Sequence, residues 1–188
     1  TLVCDYLLPG RNLYLFSTGT GLAPFMSIVR DPETYEKFEN VILTHTVRTI
    51  KELAYKDLLE NLNNDDTYSL VTKGKFVYFN TVTRETWERT GRITEWIKNN
   101  TLWEAVKKER FDPELDRVMI CGSEEMTYEL KEIFESLGSN EGSTKVQGGF
   151  VIEKAFAEKW VGINLSKIKL VYFDFNFWRI DILRLSLA

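Results

Sequence analysis

LYLFSTGTGLAPFMSI, residues 13–28, decides the fold. Leu13, Tyr14, Leu15 and Phe16 have strand character and run into a small-residue loop, Ser17-Thr18-Gly19-Thr20-Gly21. A helix is expected to open at Leu22-Ala23-Pro24, because proline is tolerated in a first helical turn, where its missing N–H has no partner to lose. Glycines in the loop permit positive φ and let a ligand approach the backbone where a Cβ would block it. Strand, loop and helix N-terminus together make an anion site, since first-turn N–H groups are unpaired and the helix dipole favours negative charge. A dinucleotide pyrophosphate is the natural guest. The spacing is not G-x-G-x-x-G, and a turn with no ligand also fits this stretch taken alone.

Outward from that stretch, strands and helices alternate. VILTHTV (residues 41–47), KFVYFNTV (75–82), RVMIC (117–121) and FVIEK (150–154) read as four further strands, rich in β-branched and aromatic residues. Between them, residues 33–38 form a short helix. Thr49 and Glu52 make a capping box opening a helix to about Leu62, with Ala54, Leu58 and Leu62 on one face. Residues 63–75 are polar loop. Short helices follow at 93–98 and around Trp103. Ser123 caps a longer helix bearing the apolar stripe Met126, Leu130, Ile133, Phe134 and Leu137, ended by Gly138. Strands apolar on both faces, alternating with helices, predict an α/β fold: a parallel five-stranded sheet flanked by helices, with its ligand at the carboxyl ends of the strands.

Composition narrows the function. The chain has 188 residues, 44% hydrophobic and 13% aromatic, enough for one packed domain with an appendage. A net charge of −4 gives no support for nucleic acid or an anionic membrane as partner. Two cysteines, Cys4 and Cys121, make no disulfide framework and suit a reducing cytoplasm. No Cys/His cluster has metal-ligand spacing, and no signal, membrane-spanning or lipidation segment is visible. The chain starts at Thr1, and residues 1–10, with Pro9-Gly10 as a hinge, read as the end of a preceding domain or linker.

The strand ends hold the chemistry. Arg48 follows the second strand, Arg84 the third, and Arg92 precedes the next helix. A guanidinium fork donates two parallel charge-assisted hydrogen bonds to a phosphomonoester. A single such arginine reads better as a solvated surface residue, but all three falling in loops at one rim turns the reading the other way. If two of them grip a 2′-phosphate at roughly 1.5–3 kcal/mol each, the site prefers NADP over NAD by about two to four orders of magnitude. His45, the one histidine, reads as a packed strand residue with one satisfied nitrogen, and Glu124 and Glu125 as charges complementing a helix dipole.

STGTGLAPFMS (17–27), HTVR (45–48), TVTRE (81–85), GRIT (91–94) and MICGS (119–123) occur in this order. Together they resemble the NADP-binding half of bacterial ferredoxin–NADP⁺ reductase, over residues 2–159. The resemblance implies that Thr18, Gly19, Thr20 and Gly21 hold the pyrophosphate, and that Arg84 and Arg92 clamp the adenosine 2′-phosphate with Arg48 assisting. It implies that Cys121 sits beside the nicotinamide, where hydride passes to FAD. AFAEK (155–159) resembles the family's carboxyl-terminal stretch, with Phe156 or Trp160 shielding the isoalloxazine. Ferredoxin or flavodoxin is the implied electron partner. The family's flavin-binding barrel and its Arg-x-Tyr-Ser motif are missing from these residues, so the chain alone is expected to bind FAD poorly or not at all and to be inactive as a reductase.

Residues 11–160 are therefore read as an NADP-binding domain and 161–188 as an atypical tail. The tail alternates Val171, Phe173, Phe175 and Phe177 with Tyr172, Asp174, Asn176 and Trp178. An added element, a partner-binding segment and a translated stretch not selected to fold (a frameshift or lost stop codon) all fit it, the last somewhat better. Three functions remain open at this point: the NADP(H) domain of a flavoenzyme, a nucleotide-binding module without redox chemistry, and a structural domain with an empty loop.

Overall fold

The computed structural model describes residues 4–153. Phe156, Trp160, the last residue expected in the fifth strand (Lys154) and the whole tail lie outside them.

Five strands, β1 (Asn12–Thr18), β2 (Asn40–Val47), β3 (Phe76–Val82), β4 (Asp116–Cys121) and β5 (Phe150–Glu153), form one sheet in the order β3-β2-β1-β4-β5. Every pairing is parallel. β1 is central, with Ser17 opposite both His45 and Cys121. Because the chain leaves β3 at one edge and returns beside β1 as β4, the strand order reverses between β1 and β4. A crevice opens at such a point on the carboxyl side.

The period-2 alternation of the strands divides the core between the two faces. Leu13, Leu15, Val41, Leu43, Met119 and Cys121 pack with α1 (Phe25–Ile28), α2 (Pro32–Lys37) and α3 (Lys56–Asn61), through Phe25, Met26, Tyr35 and Leu59. On the other face, Tyr14, Phe16, Ile42, Val118 and Ile120 meet α5 (Ile93–Lys98), α6 (Thr101–Ala105) and α7 (Glu124–Ser136), through Ile97, Trp103, Met126, Leu130 and Phe134. Both faces are covered, as an all-parallel sheet requires.

At its amino end the sheet is fastened by side chains. Asn12 donates to Asp116 (2.7 Å), Asn40 to Asn12 (2.8 Å) and Lys108 to Asn40 (2.7 Å), a row across the first rungs of β4, β1 and β2. Buried Asp116 also accepts from the Asp112 N–H (3.0 Å) and faces Arg11 at 3.7 Å. Desolvation still dominates there and raises its pKa. Arg117, nearly buried, donates to the carbonyls of Pro113, Glu114 and Leu8. The Leu8 bond fastens the entering segment, which also pairs with Gly148 before β5.

Three local expectations are corrected. The chain after β1 makes a 3-10 turn, Gly19–Leu22, before α1, and Pro24 stands at the N-cap rather than inside the helix. The helix expected from Thr49 to Leu62 is broken. The Glu52 carboxylate reaches back to the Arg48 and Thr49 N–H groups as a capping residue should, but only the 3-10 turn Ile50–Glu52 follows. Tyr55 is left-handed (φ 56°) and α3 starts after it, turned so that Leu59 and Leu62 are buried while Ala54 and Leu58 face solvent. Residues 63–75 contain a further short helix, α4 (Ser69–Thr72), held where the Thr72 hydroxyl donates to the Leu62 carbonyl (3.0 Å). Among the described residues no helix is long and apolar enough to cross a membrane.

Candidate functional site

Four loops meet at the carboxyl rim. The turn after β1 is shaped by two glycines used differently. Gly19 adopts φ +51°, and a Cβ there would meet nothing within 4 Å, so its outer face is open to a ligand. Gly21 is small for another reason, since a Cβ would lie 2.2 Å from the Cys121 carbonyl oxygen. The β1 turn thus rests directly on the end of β4. A second tie fixes the same junction: the Ser123 N–H donates to the Thr18 hydroxyl at 2.8 Å. Thr18 is half-buried, whereas Gly19 and Thr20 are exposed.

Beneath the turn lies His45, fully buried in β2. Its Nε2 is 3.3 Å from the Gly19 carbonyl and its Nδ1 3.4 Å from the Tyr78 hydroxyl. A carbonyl can only accept, so the ring proton resides on Nε2, and Nδ1 accepts from Tyr78, whose own ionisation burial opposes. Both ring nitrogens are engaged, where the sequence led us to expect one. Burial outweighs the Gly19 bond and pushes the His45 pKa down to about 4. This has a pH signature. The unfolded chain binds a proton at His45 below about pH 6.5 and the folded chain does not until about pH 4. The stability contributed by the neutral ring is therefore full above pH 6.5 and lost as pH falls towards 4. Urea unfolding at pH 6.5 and 4.5 is expected to show wild type losing about 2 kcal/mol more than His45→Gln.

The arginines follow from the topology. Arg48 directly follows β2 and Arg84 lies two residues past β3. Their backbones are neighbours, the Arg84 N–H donating to the Arg48 carbonyl at 2.9 Å. The chain then folds back on the end of β3, where the Val82 N–H donates to Arg89 (3.0 Å) and the Gly91 N–H to Val82 (3.1 Å). Arg92 is thereby returned to the same rim. All three arginines are exposed there, on the side of the sheet that carries Gly19. Arg92 is not idle: its Nη1 donates to Glu125 in the first turn of α7 at 2.6 Å. Sequence reading missed this pair, because it treated Glu125 only as a complement to the helix dipole.

Cys121 ends β4 fully buried. Burial, aided by the Glu153 carboxylate, pushes its thiol up to about 11, so at neutral pH it is a small uncharged group and no thiolate. Among the described residues no group of three or more His, Cys, Asp or Glu is placed to hold a metal ion.

Comparison with known proteins adds a family. Residues 15–132 match the oxidoreductase NAD-binding domain family. The chain is 44% identical over 161 residues to a ferredoxin–NADP reductase of Azotobacter vinelandii, covering 85% of this chain and 62% of that protein. It is 43% identical over 157 residues to a flavodoxin/ferredoxin–NADP reductase of Rhodobacter capsulatus, covering 83% and 58%. A ferredoxin NADP⁺ reductase from Neisseria gonorrhoeae, crystallised with bound FAD and NADP, superposes with a TM-score of 0.72 at 29% identity, over 82% of this chain and 60% of that one. The chain thus spans about three fifths of the length of these relatives.

Proposed function

From the premise that the chain belongs to the oxidoreductase NAD-binding domain family, alongside ferredoxin–NADP reductases 43–44% identical to it, we propose that it is the NADP(H)-binding domain of such a reductase. One observation carries the reading: a turn with an open Gly19 face and three exposed arginines share the carboxyl rim of a parallel sheet. Thr18, Gly19, Thr20 and Gly21 hold the pyrophosphate, with His45 bracing the Gly19 carbonyl from below. Arg84 and Arg92 grip the adenosine 2′-phosphate and Arg48 assists. Cys121, buried and neutral, contributes shape beside the nicotinamide subsite and no nucleophile.

NADP(H), when bound, supplies the hydride. This chain's work is to hold the dinucleotide in one orientation, which is what hydride transfer between two cofactors asks of a protein. The remaining assignments belong to the whole reductase: FAD on a second domain with Phe156 or Trp160 against its ring, one-electron exchange with ferredoxin or flavodoxin, and a place in the cytoplasm. The nucleotide domain comprises residues 11–160.

Calorimetric titration of the full chain tests the reading. 2′,5′-ADP is expected to bind at least tenfold more tightly than 5′-AMP, and equal affinities would overturn it. A second reading, a nucleotide-binding module with no redox chemistry of its own, fits the same open turn and exposed arginines. A colourless preparation that still prefers 2′,5′-ADP supports the module, and flavin absorbance supports the reductase.

A further inference from the structure

Arg92 and Glu125 meet across the rim from two different elements, the loop before α5 and the first turn of α7. The pair is open to water, with side chains 53% and 67% exposed. Glu125 has a reason to be where it is without Arg92, since a carboxylate at a helix N-terminus is favoured by the dipole. It nevertheless occupies one edge of a guanidinium whose value to a phosphate is its pair of parallel donors. Glu95, which accepts from the Arg92 N–H at 3.2 Å, and Glu129 deepen the negative field around the same guanidinium. A phosphate dianion arriving at Arg92 therefore meets a carboxylate already bonded to it.

We propose that Glu125 is a specificity-determining residue: it competes with the 2′-phosphate of the dinucleotide for Arg92 and so lowers the affinity for the phosphorylated cofactor. This rests on the assignment of Arg92 to the 2′-phosphate. Exposed ion pairs are weak and screened by salt, so the competition lowers affinity without abolishing it. It acts only on ligands carrying a 2′-phosphate, because a nucleotide without one has no claim on Arg92. Glu125 works through Arg92 and is exposed, so its replacement leaves the core untouched.

The experiment is calorimetric titration of the full chain with 2′,5′-ADP and with 5′-AMP. Glu125→Gln is expected to bind 2′,5′-ADP about three- to fivefold more tightly than wild type, with 5′-AMP unchanged and Glu125→Asp close to wild type. The gain is expected to shrink in high salt and to vanish in the Arg92→Ala background, where the two substitutions couple. Unchanged or weaker 2′,5′-ADP binding by Glu125→Gln overturns the proposal. So does equal tightening of both ligands, or a gain that survives in Arg92→Ala. A wild-type chain with no preference for 2′,5′-ADP is a different failure, that of the cofactor assignment itself.

Discussion

Replacing Arg84 and Arg92 together by alanine is expected to weaken 2′,5′-ADP binding by about two to four orders of magnitude, since each removes charge-assisted hydrogen bonding to the phosphate at roughly 1.5–3 kcal/mol. Binding of 5′-AMP is expected to change less than about threefold, because the pyrophosphate turn is untouched and neither arginine supports the core. Both side chains are exposed. The loss divides unequally between the single variants. Arg92 gives up its bond to Glu125 when it turns to a phosphate, so its net contribution falls at the lower end, and Arg84→Ala is expected to show the larger defect. Titration of each variant with both nucleotides checks this. An equal loss for the two ligands would remove the arginines from the 2′-phosphate and leave them as general attractors of anions.

Phe134→Ala is expected to destabilise the fold by about 3–5 kcal/mol. The ring is fully buried on the inner side of α7 and touches Phe16 of the central strand (centroids 5.6 Å apart) and Phe111 (4.8 Å). No small residue can fill the space between a helix and a sheet held apart by other rings, so the transfer loss and the cavity add. Against a total stability of about 5–15 kcal/mol, the variant is expected to unfold at much lower urea concentration, read by tryptophan fluorescence. A loss below about 1 kcal/mol would mean that α7 is not anchored by this ring. The result bears on the site, because α7 carries Ser123 at its cap and Glu125 in its first turn.

The sheet was legible in the sequence because its strands are covered on both sides and so appear as runs dominated by apolar, β-branched and aromatic residues. Each observed strand lies within two residues of its expected bounds, the expected end of the fifth at Lys154 lying outside the described residues. Strand order was not legible: nothing in β4 announces that it pairs with β1, since order is decided by long-range packing. The break at Tyr55 was hidden because a left-handed tyrosine has no sequence signature, and the expected helical face slipped with it. At the rim, which residues end the strands could be read, but what they touch could not. Gly21, read with its neighbours as room for a ligand, also makes room for the Cys121 carbonyl, which no sequence pattern announces. Glu125 and Arg92 are 33 positions apart and meet only because two helices converge. Tyr78 reaches His45 from the adjacent strand, a pairing that emerges only once β2 and β3 are set in register.

The row of Asn40, Asn12 and Asp116 leaves the sheet with two unlike ends. Where the strands begin, their spacing is clamped by interlocked amides and a carboxylate shut away from water. Where they finish, the joining is done by separate contacts, Ser123 to Thr18, His45 to Gly19 and Tyr78, and Thr46 to Thr81, and by a glycine without a side chain. The strand spacing is thus fixed at the end away from the candidate site, so the loops that carry Gly19 and the arginines are aimed by a backbone whose alignment is set elsewhere.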